Sequence, residues 1–250
     1  MAMNPMEQFE VRPIVPLHIG PYDVSFTNQS LFMCLVVAAV TLFLTLAMSR
    51  RRLVPSRTQS MAEVSYEFVA GMIHSTMGDD GLVFFPFVFA IFMFVLFSNF
   101  LGLIPGAFTV TSQIVVTFAL AATVILTVIV VGFARHGLGF FKLFVPKAPF
   151  LLLLLLVPIE IISFLTRLVS LSVRLFANML AGHTMLAVFA SFVIGLGAAG
   201  GILSLLSITP MFMIVFIGAL EMLVAFLQAY VFAILTCIDL NEALHLHEHH

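Results

Sequence analysis

Charge is what this sequence lacks most. Only 9% of its 250 residues are Asp, Glu, Lys or Arg, and none occurs between Leu82 and Ala134. Soluble domains carry roughly a quarter of their residues charged. With 62% hydrophobic residues and a mean hydropathy of +1.20, no water-soluble fold could hide this much apolar surface. The formal net charge of −2 is far from the basic footprint of a nucleic-acid binder. Cysteine is scarce too. Cys34 and Cys237 lie far apart inside apolar runs, which reads as two small buried hydrophobes rather than a disulfide framework. A glycine-rich, lysine-bearing phosphate cradle is missing, so no nucleotide-hydrolysing catalytic site is expected in this chain. Paired axial histidines for a haem are missing as well, since only His183 lies well inside a span. The spans do not repeat as the halves of a secondary transporter do. The first 25 residues carry Glu7, Glu10 and Asp23 and lack the charged-then-apolar order of a cleavable signal.

What is present is an all-α polytopic membrane protein, read as one membrane domain over residues 1–250. A first transmembrane helix covers 28–49, with Asn28 and Ser30 as candidate caps, and stops at Arg50, Arg51 and Arg52. Residues 60–78 open on a Ser60-x-x-Glu63 capping box and carry Glu63, Glu67 and His74 among apolar residues, as an interfacial amphipathic helix would. Residues 82–134 form a transmembrane hairpin, broken at SNFLGLIPGAFTVTSQ (98–113).

From 149 to 238 the chain reads as two very long tilted membrane helices in an antiparallel hairpin, turning at GLGAAGG (195–201) and bending near Pro158. The first of them, Phe150 to Ile194, would be roughly 67 Å long at 1.5 Å per residue. That is more than twice a hydrocarbon core of about 30 Å, hence the tilt. Residues 239–250 read as a cytoplasmic tail, and its HLHEHH end as solvated rather than metal-binding. Seven of the ten basic residues (50, 51, 52, 57, 135, 142 and 147) fall on one side of the membrane, which predicts an outer N-terminus and a cytoplasmic C-terminus.

The long helices hold a sparse polar set. Glu160, Arg167 and Arg174 recur every seven residues and Asn178 follows four later, so all four share one helix face. Arg174 is costly there, by about 2.5 to more than 10 kcal/mol in a bilayer centre, and a guanidinium cannot lose its proton to escape. Arg167, closer to the cytoplasmic side, could simply snorkel. Folding the hairpin about its glycines brings His183 level with Glu221, and Arg174 level with Gln228, because the axial offsets are about 13 and 10 Å. An imidazole beside a carboxylate toward the outer face suits proton handling. Arg174 is left beside an amide, and its countercharge is expected from another chain.

The run SLSVRLFANMLAGH (170–183), the later EMLVAFLQAYVFAIL (221–235) and NFLGLIP in the earlier hairpin together resemble subunit a of the F-type rotary ATP synthases, over most of the chain. The resemblance implies that Arg174 is the essential stator arginine facing the carboxylates of a rotating proteolipid ring. It implies that Gln228 stands beside that arginine, that Asn178 lines the aqueous path, and that His183 and Glu221 belong to the outer half-channel. Acid and imidazole stand here in the order found in mitochondrial and alphaproteobacterial members. Glu160, Ser163 and Ser170 match the cytoplasmic exit. The implied partners are the c-ring, b-type peripheral-stalk subunits, the rest of the ATP synthase and membrane lipid. The implied cargo is the proton, with no cofactor. The implied location is a bacterial inner membrane, with the mitochondrial inner membrane as the alternative.

Overall fold

A backbone N–H or C=O in hydrocarbon has no water to bond, so a chain this apolar can only satisfy its peptides within helices. The computed structural model describes residues 10–16, 18–19, 22–23, 25–49, 55–104, 106–137, 139–140 and 150–244. The predicted basic positions 50–52, 142 and 147 and the HLHEHH tail lie outside these. Four short strands, β1 (Pro13–Val15), β2 (His18–Ile19), β3 (Tyr22–Asp23) and β4 (Phe26–Thr27), precede the helices. The helices are α1 (Asn28–Ser49), α2 (Arg57–Met77), α3 (Phe85–Gly102), α4 (Ile114–His136), α5 (Phe150–Ala199), α6 (Ile202–Leu206) and α7 (Ile208–Leu244). Short 3₁₀ turns at Asp79–Phe84 and Val110–Ser112 flank α3. Five of these segments are long and apolar enough to cross a membrane: Asn28–Ser49, Asp79–Gly102, Ile114–His136, Leu152–Ala199 and Ser204–Leu244. The protein is thus an all-α polytopic membrane protein.

Two compact units can be described separately. The first comprises residues 1–43, 93–113 and 175–229. Its strands pair antiparallel, β1 with β4 and β2 with β3. Of the two predicted caps of α1, Asn28 takes up one first-turn N–H, its Oδ1 accepting from Gln29 N at 2.9 Å, while the Ser30 hydroxyl meets that of Thr27. Thr27 Oγ1 accepts from Ser30 N at 3.3 Å, while Asn28 also turns back to the strands, its Oδ1 accepting from Arg12 N and its Nδ2 donating to Glu10 O. A hydroxyl one residue earlier reaches the third helical N–H, and the Asn28 amide serves the helix start and the strands together.

The interior of this unit is partly polar. Asn99 on α3 is fully buried, donates from Nδ2 to the Ala225 carbonyl at 3.2 Å, and accepts from Thr111 Oγ1 at 2.9 Å. Ala225 is itself fully buried on α7. It belongs to a series on α7, Ala225, Ala229, Ala233 and Cys237, all buried, four residues apart and small enough to let another backbone come close. Chain reversal after α5 needs only Gly200 and Gly201, both at positive φ (69° and 59°), where a β-carbon would be strained. Gly195 and Gly197 remain helical, so the turn is shorter than the GLGAAGG run suggested.

The second unit comprises residues 44–92, 114–174 and 230–250. Here α2 begins earlier than the capping box predicted. Ser56 is the cap, accepting from Gln59 N at 3.3 Å, and Glu63 instead accepts from Gln59 Nε2 at 2.8 Å. The buried positions of α2 (59, 62, 69, 72, 73 and 77) follow helical spacing, giving one covered stripe; the uncovered side mixes Glu63 and Glu67 with Met61, Val64 and Tyr66. His74, which had no obvious partner in the sequence, lies 3.2 Å from Asp79 at the exposed end of α2. Aromatic contacts join α2 to α3: Tyr66 packs on Phe85 at 4.5 Å and Phe68 on Phe92 at 5.7 Å between ring centres. Thr117 and Ser172 bring α4 and α5 within hydrogen-bond range at 3.3 Å.

Two expectations are corrected. Cys34 lies on an exposed face of α1, as a lipid-facing residue of a span does, and only Cys237 is buried; both thiols are free. The last helix does not stop at Ile238 but runs to Leu244, so Asp239 and Glu242 are helical rather than part of a tail. Their charges are tolerated there because Arg167 binds both.

Replacing Asn99 by Ala leaves the Thr111 hydroxyl and the Ala225 carbonyl without that partner in a water-poor interior. The expected cost is about 1–3 kcal/mol, seen as a lower midpoint for loss of helical circular dichroism on heating in detergent. An unchanged midpoint would remove Asn99 from the packing scheme.

Candidate functional site

Within the first unit, the predicted polar residues of α5 and α7 meet in pairs. His183 Nε2 stands 3.9 Å from Glu221 Oε1, and Asn178 Nδ2 donates to Gln228 Oε1 at 3.3 Å. As the α5 number rises from 178 to 183 the α7 number falls from 228 to 221, an antiparallel pairing; the axial offsets placed His183 level with Glu221, but they put Gln228 level with Arg174 rather than with Asn178, its observed partner. The imidazole–carboxylate distance is too long for a direct hydrogen bond; a small rotation or one bridging water closes it.

Glu221 is only 4% exposed, and neither of its carboxylate oxygens has a hydrogen-bond partner among the described residues. A buried acid so poorly satisfied is expensive, and such groups concentrate at working sites. His183 Nε2 is also 3.3 Å from Thr109 Oγ1, with donor and acceptor set by the tautomer. The hydroxyl and the acid thus approach the same ring nitrogen, Nε2, an imidazole position that can hold or release a proton beside the carboxylate.

Two residues that shape this pair escaped the sequence reading. Gly182 is one: a β-carbon there would overlap the Glu221 carboxylate, so glycine is what makes room for the acid. The other is Thr109, in the connection between α3 and α4. The helical period of α5 and α7 carries no information about either. Gly182 was visible only as a small residue beside His183 in LAGH.

Within the second unit, Ser163, Thr166, Arg167, Ser170, Leu171, Arg174, Leu235 and Asp239 line a cleft of about 360 Å³. Three predicted residues, Ser163, Ser170 and Arg174, thus share one hollow. Glu160 is not part of this lining and sits half-buried on α5. Arg174 is exposed and has no hydrogen bond or ion pair to any described residue. Arg167 differs: its Nη1 donates to Asp239 Oδ1 at 2.8 Å and to Glu242 Oε2 at 2.6 Å. This is pairing, not snorkelling. Asp239 is 7% exposed, so an internal carboxylate does line the hollow that holds Arg174, although it is bound to the other arginine. Among the described residues no group of three or more His, Cys, Asp or Glu side chains could hold a metal ion.

These features define a class: a multi-pass membrane protein whose longest helices carry buried, sparsely satisfied polar groups and an unneutralised arginine. Comparison with known proteins makes this particular. The sequence profile of the ATP synthase A chain family matches residues 30–241. Proteins named ATP synthase subunit a resemble the chain closely. The one from Mesorhizobium japonicum is 58% identical over 97% of both chains. That of a Chelativorans strain is 60% identical, and that of Agrobacterium fabrum 59%, each over 98% of this chain and 99% of the relative. The chain belongs to the ATP synthase A chain family.

Gly182→Ala should force the Glu221 carboxylate aside and cost about 1–3 kcal/mol of stability. Combining it with Glu221→Asp, one methylene shorter, should recover part of that loss. Thermal unfolding of the purified variants reads both effects, and equal melting of wild type and Gly182→Ala would refute the close fit.

Proposed function

We propose that this chain forms the stationary half of a proton-driven rotary contact in the membrane sector of an F-type ATP synthase. Membership in the A chain family makes it a membrane subunit of that complex, with the rest of the synthase as its partners. The observation that carries the finer reading is Arg174: a permanent cation on an intramembrane helix, exposed, and with no acid of its own chain bound to it among the described residues. Such a charge is stable only if a partner brings the countercharge. A ring of proteolipid c-subunits, each presenting one carboxylate, supplies it repeatedly as the ring turns.

The remaining residues divide the path. Protons enter from the outer side past Glu221, His183, Asn178 and Gln228, and load a ring carboxylate. After almost a full rotation they leave through the cytoplasmic cleft with Ser163 and Ser170, toward Glu160. Arg174 between the two paths attracts each arriving carboxylate in its ionised form and repels protons that would cross directly. The chain itself provides no catalytic site and needs no cofactor, and the proton is the cargo. Exposed apolar residues face membrane lipid and b-type peripheral-stalk subunits. The alphaproteobacterial relatives favour a bacterial inner membrane over a mitochondrial one, with the N-terminus periplasmic and the C-terminus cytoplasmic.

Arg174→Ala should reduce proton-driven ATP synthesis in membrane vesicles to background. Arg174→Lys should not restore it, because an ammonium deprotonates and lacks the planar fork. Full coupled synthesis by either variant would sink the proposed role. A second expectation concerns the pair on the outer side. Single changes His183→Glu and Glu221→His each leave two like groups, whereas the double exchange keeps one acid and one imidazole. The double variant should synthesise ATP faster than either single one. A double variant no faster than the singles would refute the paired role.

A further inference from the structure

Resting on the role proposed for Arg174, we infer that Arg167 is a positioning residue whose task is to keep Asp239 away from Arg174. The observation is a contradiction inside one cleft. Arg174 must remain without an acid of its own chain, yet Asp239 lines the same hollow of about 360 Å³ and is 7% exposed. A carboxylate so sheltered from water seeks the nearest cation. Two are at hand, Arg167 and Arg174, seven residues apart on one face of α5 and therefore about 10 Å apart along its axis. Arg167 takes the acid, with Nη1 at 2.8 Å from Asp239 Oδ1.

The second acid explains why the arrangement holds. Arg167 Nη1 also donates to Glu242 Oε2 at 2.6 Å, so two acids hold the same nitrogen and the second bond resists its moving off Asp239. Glu242 is 34% exposed and is not part of the cleft lining, so it anchors Arg167 without competing for Arg174. The groups facing Asp239 across the cleft are Ser163, Thr166, Ser170 and the two arginines, and of these only the arginines carry charge. With Arg167 removed, Asp239 is an unbound carboxylate lining the same cleft as Arg174. A fixed internal pair there would compete with every carboxylate arriving on the ring.

The test compares ATP-driven proton pumping in inverted membrane vesicles, expressed per assembled complex counted by immunoblot. Arg167→Gln should assemble and pump about tenfold slower, the effect of a competing pair of modest strength. Arg167→Lys should pump near the wild-type rate. Arg167→Gln combined with Asp239→Asn should regain most of the rate, whereas Arg167→Gln combined with Glu242→Gln should not. A normal rate per complex in Arg167→Gln overturns the inference. So does a loss confined to the amount assembled, or equal rescue by both double variants, since either would mean that Arg167 merely offsets charge for folding. Arg174→Ala is measured alongside. If it still couples, the reading of Arg174 itself fails; if it is inactive while Arg167→Gln pumps normally, only the role of Arg167 falls.

Discussion

A guanidinium in a low-dielectric setting must have a negative partner, and almost everything else in this structure is arranged around where that partner is. Arg167 and Arg174 have the same chemistry and sit on the same face of the same helix. They differ in what α7 offers them: two carboxylates for the first, and none bound to the second among the described residues. The pairing of one cation makes the lack of pairing at the other informative. On the role proposed for Arg174, an arginine left alone by its own fold, in a chain that has acids nearby, is reserved for something outside the chain.

The acid–imidazole pair in the first unit obeys the same economy from the opposite side. Glu221 is buried without hydrogen bonds to its carboxylate, against a glycine that allows it to sit there and an imidazole slightly out of reach. A group satisfied that poorly is ready to change partners. Asn178 and Gln228, bonded to each other at 3.3 Å, illustrate the alternative: amides that cannot ionise are content with a single hydrogen bond, although Gln228 Nε2 is still left over. The polar groups therefore grade from settled to unsettled, and among the described residues Glu221 stands out as the one buried side chain with both polar atoms unsatisfied.

Much of this was legible in the chain because hydrophobic stretches longer than a bilayer admit few structures, and because a seven-residue spacing on a helix has one geometric meaning. The pair His183–Glu221 needed only the location of the glycine turn and a rise per residue, whereas Gln228, expected level with Arg174, bonds Asn178 one turn further along α5. Periodicity is silent about other features. It could not reveal Thr109, which arrives from a connection, or Gly182, whose importance is a missing atom. It misplaced the end of the last helix because Asp239 and Glu242 read as the start of a polar tail. Their neutralisation by Arg167, 72 and 75 residues away, is a tertiary fact. The Thr27 hydroxyl at the start of α1 and the Ser56 cap of α2 were missed for a more local reason: several hydroxyls and amides stood near each helix start, and backbone direction chose among them.

The fifty-residue helix α5 has one more property. Among its described residues only Leu171, Ser172, Leu175 and Met179 are buried, so its own chain shelters a single short stretch of it. A helix so sparsely covered cannot be held by intrachain packing alone. A newly made copy waiting in the bilayer would display that bare flank, arginine included, to lipid and to the proteases that patrol for orphaned subunits. If α5 lies against a moving neighbour, as proposed, the same bare flank couples its lifetime to assembly: the protein's abundance would then follow the supply of its partners rather than its own rate of synthesis.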